Sequence, residues 1–115
     1  MKCLFYLVTR DLKDSNCYNF TMELSERWMQ KFEAEDFSSV YEWQGPAGTV
    51  YPVHTHKGRV SLFVTDGSII FDFEGETKEV KAGERFNVPV GKPHSAVVGP
   101  HGWIAVIAEE IEGDS

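Results

Sequence analysis

The sequence predicts an all-β fold, either a sandwich or a closed barrel, preceded by one helix. Seven or eight short β-rich runs follow one another at close spacing from Ser39 onward, and turn-forming residues separate them. Strands that alternate with helices are absent from the pattern, which argues against a parallel α/β sheet. A length of 115 residues is enough for one hydrophobic core and too small for two, so we expect one barrel domain.

Composition and charge exclude several classes of partner. Hydrophobic residues make up 42% of the chain and aromatic residues 13%, as in ordinary globular proteins. The formal net charge of −7, with no cluster of Lys or Arg, repels phosphate backbones and makes nucleic acid a poor candidate partner. The apolar run Cys3–Val8 is far shorter than the ~20 residues that cross a bilayer, and no cleavage site follows it. These features predict a cytoplasmic protein without a membrane partner.

The first predicted element is a strand at Cys3–Thr9, followed by a polar connection at Arg10–Asn19. The strand is apolar on both faces, so we expect another chain or the following helix to cover it. Pairing with a second copy would make the protein a homodimer. Cys3 and Cys17 are predicted to remain reduced thiols, as is usual for cysteines in the cytoplasm.

A single helix is predicted at Met22–Glu35. Leu24, Trp28 and Phe32 recur at i, i+4 and i+8 and form an apolar stripe, which we expect to dock on the barrel. The aromatic side chains of this stripe are interpreted as packing residues and not as ligand contacts. Residues 1–37 are therefore an N-terminal extension made of one strand and one helix.

Residues 38–110 form the predicted barrel. Strands are predicted at Val40–Gln44, Ile69–Phe73, Thr77–Lys81, Arg85–Val90, Ser95–Val98 and Trp103–Ala108. Turns are predicted at Gly45–Gly48, Asp66–Gly67, Glu74–Glu76, Ala82–Glu84 and Gly99–Gly102. The dipeptide Asp66–Gly67 favours a type I′ hairpin, because both of its central residues need positive φ. The acidic end from Glu109 to Ser115 is expected to fray, with residues 111–115 as a disordered tail.

Three histidines stand out as candidate metal ligands. His54 and His56 are two residues apart in a β-rich run, where side chains at i and i+2 share a face, and His94 lies on a later strand. Neutral imidazole nitrogen is a good ligand for zinc, nickel, iron, manganese and copper. The fourth histidine, His101, lies in a Gly-Pro-His-Gly turn and is expected to be solvated and not a ligand.

The surrounding residues fit the paired pattern Gly-x5-His-x-His…Gly and Gly-x5-Pro-x-Gly-x2-His. It is matched at Gly48, His54, His56, Gly67, Gly83, Pro89, Gly91 and His94. This pattern resembles the two motifs of the cupin superfamily. The resemblance covers about Val40–Ala108 and implies a jelly-roll barrel in which the three histidines meet inside the mouth and hold a divalent transition metal.

Two positions depart from the cupin pattern. Where many cupins carry a metal-binding glutamate, this chain has Val60, or Ser61 if the spacer is longer by one residue, and Val98 replaces a frequent asparagine. A site of three neutral histidines leaves the +2 charge of the ion uncompensated, so its open positions should favour an anionic group of a small-molecule ligand.

Strand alternation predicts the side chains around this site. If the histidine face of the strand points inward, so does Pro52, and Val60, Leu62 and Val64 share one face of the next strand. The aromatic residues that can line the mouth or back the core are Tyr41, Trp43, Tyr51, Phe71, Phe73 and Trp103.

Three function classes remain open from the sequence. The first is an enzyme in which the metal acts as a Lewis acid or, as iron, activates oxygen; by resemblance a dioxygenase is permissible. Glu42, Asp72 and Tyr51 are its titratable candidates for acid or base. The second is a non-catalytic module that binds or senses a small molecule. The third is metal-free, sugar isomerase-like chemistry with histidine as the base.

Overall fold

The computed structural model describes the backbone of residues 16–110 and the side chains of residues 24–110. It contains one helix, α1 (Asn16–Ala34), and six strands. The strands are β1 (Ser39–Gly45), β2 (Val50–His54), β3 (Val60–Phe73), β4 (Glu76–Lys81), β5 (Arg85–Val88) and β6 (His94–Glu109). All pairings are antiparallel, which confirms the predicted all-β class with one helix. No helix in the described part of the chain is long and apolar enough to span a membrane.

Several predictions concern residues outside the described part of the chain. The strand at Cys3–Thr9, the state of Cys3 and the tail at residues 111–115 belong to this group. The homodimer, which was inferred from that strand, stays a prediction, as does the division of the chain at residues 37 and 38.

The two long strands β3 and β6 organise the fold. They pair with each other from Val60↔Glu109 to Asp72↔Ser95, with register shifts on either side of Asp66–Gly67. On one side of this irregularity, β5 pairs with β3 and β1 pairs with β6. On the other side, β4 pairs with β3 and β2 pairs with β6. The result is two four-stranded halves that share β3 and β6. Their inward side chains pack into one core, as in a sandwich closed on itself.

Two predicted turns are wrong, and both lie at this irregularity. Asp66–Gly67 is not a hairpin but a bulge inside β3, and Gly99–Gly102 lies inside β6 instead of separating two strands. The Asp-Gly dipeptide indicates that the backbone has positive φ at this point. Both a bulge and a tight turn contain residues with positive φ, so the dipeptide does not distinguish them. Gly67 has φ 75°, and a Cβ at this position would collide with the Gly102 carbonyl, so the bend needs a residue without Cβ.

The other hairpin is confirmed. β3 and β4 pair from Ser68↔Lys81 to Phe73↔Glu76, which leaves Glu74 and Gly75 as a two-residue loop. Both loop residues have positive φ, 56° and 99°, as a type I′ turn requires. The predicted turn at Ala82–Glu84 is also present, whereas β5 ends at Val88 because the following residue is proline.

Helix α1 begins at Asn16 instead of Met22. The apolar stripe from which the start was predicted covers only part of the helix, and no Gly or Pro interrupts the residues before it. The predicted docking of the stripe is confirmed: Phe32 is fully buried, and Trp28 stacks on Phe63 of β3 with ring centroids 4.2 Å apart. This contact covers the outer face of the barrel and leaves its inner face to the pocket.

An ion pair connects the end of α1 to strand β5 of the barrel. Arg85 of β5 donates two hydrogen bonds to the Glu35 carboxylate, at 3.0 and 2.7 Å, and its guanidinium lies 5.0 Å from the ring centre of Phe32. The hydrogen bonds from Arg85, with its positive charge and that of Lys31, lower the pKa of Glu35 from 4.5 to about 2.

This ion pair predicts an acid-sensitive contribution to stability. Because the pKa of Glu35 is lower in the folded chain, the contribution is complete above pH 4.5 and is lost as the pH falls toward about 2. We expect Glu35→Gln to lower the free energy of unfolding at neutral pH, and the difference from wild type to shrink over that range. Urea titrations at several pH values measure it. Glu33→Gln, on an exposed position of the same helix, is the matched control, and an equal effect of both variants would contradict the prediction.

Candidate metal centre

The three predicted histidines come together at one end of the barrel. His54 is the last residue of β2 and lies directly opposite His94, the first residue of β6, in the antiparallel register. The Nε2 atoms of His54 and His56 are 3.1 Å apart, and the ring centres of His54 and His94 are 4.6 Å apart. One nitrogen from each ring lies within 4.8 Å of the nitrogens of the other two. We call these three side chains the histidine cluster. Among the described residues, no other group of side chains could hold a metal ion in this way.

Backbone carbonyls orient two of these rings. The Nδ1 atom of His54 lies 2.6 Å from the carbonyl oxygen of Pro52, and Nδ1 of His94 lies 2.9 Å from that of Lys92. A carbonyl oxygen can only accept, so Nδ1–H donates in both rings and Nε2 is the nitrogen left to bind a metal. Metal-binding histidines in proteins are held by the same kind of outer hydrogen bond.

The donor set fits a divalent transition metal. Nitrogen ligands lie roughly 2.0 to 2.1 Å from zinc, so two ligands of one ion are at most about 4.2 Å apart. The His54 to His56 separation of 3.1 Å is within that limit, and all three nitrogens lie within 4.8 Å of one another. Three nitrogens also leave positions open for an exchangeable ligand, as catalytic sites do. The residues present therefore suit Zn, Ni, Fe, Mn or Cu better than Mg or Ca, which prefer oxygen ligands.

Burial keeps part of the cluster uncharged. Burial lowers the pKa of His56, and the nearby rings of His54 and His94 lower it further, while the negative charge of Glu109 acts in the opposite direction. His56 is therefore neutral at pH 7, the form in which imidazole binds metals. His94 is only 2% exposed and packs against Phe73, with ring centres 5.4 Å apart.

The local path of the chain differs from the predicted strand. His56 lies beyond the end of β2, where the Gly91 N–H donates a hydrogen bond to its carbonyl oxygen at 3.0 Å. The register also shifts between Tyr51 and His54, so simple alternation fails there. Pro52 was predicted to point inward with His54, but it is exposed and does not line the pocket.

A pocket with a volume of about 160 Å³ opens beside the cluster. Its walls are mostly apolar, and they are formed by Tyr41, Trp43, Tyr51, His54, His56, Val60, Leu62, Ile69, Phe71, Val88, His94, Ala96, Trp103, Ile107 and Glu109. Five of the six predicted aromatic residues are among them, and the sixth, Phe73, belongs to the core. The predicted shared face of Val60, Leu62 and Val64 is confirmed, since all three pack in the inner core.

The Tyr51 hydroxyl is a ready hydrogen-bond donor in this pocket. Its oxygen accepts the indole N–H of Trp43 at 3.0 Å and that of Trp103 at 3.4 Å. Both lone pairs are thereby used, and no acceptor for its proton lies within hydrogen-bonding distance among residues 24–110. The remaining O–H is available to a ligand.

Sequence reasoning missed one acidic residue of the pocket. Glu109 was assigned to the fraying end of the chain, yet it is the last residue of β6 and lines the pocket. Its carboxylate accepts a hydrogen bond from the Tyr41 hydroxyl at 2.9 Å. Burial, together with this bond and charge, raises the pKa of Tyr41 well above its usual value. Alternation from Trp103 through Ile107 predicts the inward position of Glu109 and could have identified it.

The other acid and base candidates lie elsewhere. Glu42 accepts a hydrogen bond from Ser25 of α1 at 2.9 Å, and Asp72 accepts one from the Gly75 N–H in the hairpin loop at 2.7 Å. His101 is exposed and outside the histidine cluster, as expected.

The positions that depart from the cupin motifs carry no carboxylate into the pocket. Val60 lines it with an apolar side chain, and Val98 is buried in the core. Ser61 points to the opposite face of β3, where its hydroxyl lies 3.0 Å from Arg85 Nε.

Comparisons with known proteins agree with this architecture. Quercetin 2,3-dioxygenase of Bacillus subtilis is 30% identical over 67 residues, which cover 57% of this chain and 20% of the dioxygenase. The DMSP lyase DddQ of Ruegeria pomeroyi superposes with a TM-score of 0.57 at 25% identity, over 66% of this chain and 39% of the lyase. The polyketide cyclase RemF of Streptomyces resistomycificus superposes with a TM-score of 0.53 at 30% identity, over 60% of this chain and 51% of the cyclase. The chain thus spans about half or less of each of these relatives.

The match to a family model covers most of the barrel. Residues 41–99 fit the model of the cupin domain, a span that runs from β1 into β6 and includes all three clustered histidines. Together with the fold, this match shows that the chain belongs to the cupin family.

Proposed function

We propose that His54, His56 and His94 hold one divalent transition metal ion and that the pocket binds a small polar organic molecule against it. The observation that carries the proposal is the convergence of three imidazole nitrogens, two of them oriented by backbone carbonyls. Zinc, nickel, iron, manganese and copper all fit this donor set.

A bound ion would supply Lewis acidity, or oxygen activation if it is iron. The chain's own contribution is the pocket. Its aromatic and aliphatic walls would shield part of a bound ligand from water, which strengthens electrostatic interactions with that ligand. The Tyr51 hydroxyl, fixed by two indole N–H groups, can donate to a polar group of that ligand and so orient it.

The matched relatives favour catalysis over passive binding but leave the reaction type open. They include a dioxygenase, a lyase and a cyclase, three different chemistries on one fold. We therefore assign this chain to metal-dependent chemistry on a small organic molecule without choosing among the three.

Metal content is the direct test. Protein made without a histidine tag is expected to contain about one transition metal ion per chain by mass spectrometry, either as purified or after reconstitution, since the cluster forms one site. Protein that remains free of metal after reconstitution with zinc, nickel, iron, manganese and copper in turn would contradict the proposal. In that case a metal-free binding module becomes the better interpretation.

Metal affinity should also depend on pH. Protons compete with the ion for imidazole, so the affinity is expected to fall as the pH drops below about 6.5. The lowered pKa of His56 means that this ring resists protonation and limits the fall at mildly acidic pH. Zinc titrations at several pH values measure the effect. An affinity that is unchanged between about pH 7.5 and 5.5 would contradict the three-histidine site.

A further inference from the structure

Glu109 gives the pocket an acidic group on a wall that the cupin motifs do not supply. It follows Ile107 on the inward face of β6 and lies opposite Val60 in the register with β3. The carboxylate does not belong to the group of nitrogens that can share one metal ion, yet its charge acts on His56. It therefore faces the interior of the pocket without being a ligand in the histidine cluster.

Tyr41 fixes the orientation of this carboxylate. The Tyr41 hydroxyl donates to Oε2 of Glu109, and among residues 24–110 no donor lies within hydrogen-bonding distance of Oε1. Because burial and Glu109 raise the pKa of Tyr41, this hydroxyl keeps its proton and continues to donate. Tyr41 is thus a positioning residue, and Oε1 of Glu109 is free to accept a proton.

The rest of the pocket offers few competitors for this role. Among residues 24–110, no Lys or Arg side chain lines it, and the titratable side chains that do are the three histidines, two tyrosines and Glu109. The histidines are assigned to the metal and the tyrosines act as hydrogen-bond donors. Glu109 is left as the side chain that can take up a proton from a ligand.

We propose that Glu109 is the proton acceptor of this pocket, and that the pocket takes small neutral weak acids such as enols, hydroxyketones or hydroxamic acids. The ligand's acidic O–H or C–H bond breaks, the proton moves to Oε1 of Glu109, and the electron pair stays on the ligand as an oxyanion that faces the histidine cluster. Both the proton and the charge are conserved within the pocket. The inference rests on the proposed metal site and names the class of ligand that this site binds.

The size of the cavity is consistent with this class of ligand. A volume of about 160 Å³ is close to that of an engineered apolar protein cavity of about 150 Å³ that binds benzene. A ligand of about six to eight non-hydrogen atoms is therefore expected to fill the pocket, with its acidic group between Glu109 and the histidines.

Acetohydroxamic acid is a suitable probe, because it is small and neutral and binds metals after losing one proton. We would titrate it into zinc-loaded protein by calorimetry in two buffers of different ionisation enthalpy, which reports how many protons reach the buffer. Wild type is expected to release fewer protons than Glu109→Gln, because the proton moves to the Glu109 carboxylate beside the new oxyanion, and Glu109→Gln should bind the probe about tenfold more weakly. Glu110→Gln is the matched control, because this neighbouring carboxylate pairs with Arg59 and does not line the pocket.

The outcomes separate this inference from the proposed function. Zinc uptake is measured first for all three proteins, and wild type that binds no zinc would overturn both. If wild type and Glu109→Gln take up zinc equally but release the same number of protons, the metal site stands and Glu109 is not the acceptor. Zinc-loaded wild type that binds no acetohydroxamic acid would also overturn the inference, because the pocket would then reject the simplest member of the proposed class.

Discussion

His94→Ala is expected to lower the affinity for zinc by more than about 100-fold, because even the loss of an outer hydrogen bond to a metal ligand costs 10- to 100-fold. His94 contributes one of only three nitrogens, and its Nδ1–H is already committed to the Lys92 carbonyl. No other described side chain can replace it, since the cluster contains no further His, Cys, Asp or Glu. Competition against a chelator of known affinity measures the loss.

Two further variants distinguish the loss of a zinc ligand from unfolding of the barrel. His94 is buried, so its replacement can destabilise the barrel, whereas His54 is exposed and His54→Ala should lose zinc without unfolding. His101→Ala is the matched control, because His101 is exposed and remote from the cluster, and it should bind zinc like wild type. Equal zinc affinity in His54→Ala and His101→Ala would contradict the site.

Gly67→Ala is expected to destabilise the folded chain by roughly 2–5 kcal/mol. An alanine at φ 75° costs about 1–2 kcal/mol through its backbone conformation. Its Cβ would also collide with the carbonyl of Gly102, which belongs to β6 and cannot move without disturbing the β3–β6 ladder, at a further cost of about 1–3 kcal/mol. Urea denaturation of the two proteins gives the difference in free energy.

Gly91→Ala separates the two contributions. Gly91 has the same φ of 75°, but a Cβ added there would meet no atom within 4 Å. This variant should therefore lose only the conformational contribution of about 1–2 kcal/mol. If Gly67→Ala were no more destabilising than Gly91→Ala, this result would contradict the steric clash expected between β3 and β6 at the bulge.

Local patterns in the sequence were sufficient for several elements. The i, i+4, i+8 stripe of α1 identified Phe32 as a buried contact, because helical periodicity places those side chains on one face. The turn at Glu74–Glu76 was predicted because it lies between two β-rich runs, and the structure narrows its loop to Glu74 and Gly75. Strand alternation placed His54 and His56 on one face, and the resemblance to the cupin motifs related His94 to these two.

Other elements could not be inferred from local patterns. Asp66–Gly67 and Gly99–Gly102 have the composition of turns, and only the pairing of β3 with β6 across both segments makes them bulges. The inward position predicted for Pro52 failed because the register of β2 shifts between Tyr51 and His54. Register depends on partner strands that are distant in sequence, so alternation along a single strand cannot reveal such a shift.

The sequence by itself determined the all-β class and the docking face of the helix, because these follow from periodicity, and its resemblance to the cupin motifs indicated which three histidines meet. Only the tertiary structure decided that the Tyr41 hydroxyl donates a hydrogen bond to the Glu109 carboxylate in the same pocket as the histidines. That hydrogen bond joins strands β1 and β6 diagonally, since Tyr41 lies opposite Ile107 and Glu109 lies opposite Ser39, and its two residues are remote in the chain. A contact of this kind depends on sheet register and on which face of each strand is covered, and both are properties of the folded barrel.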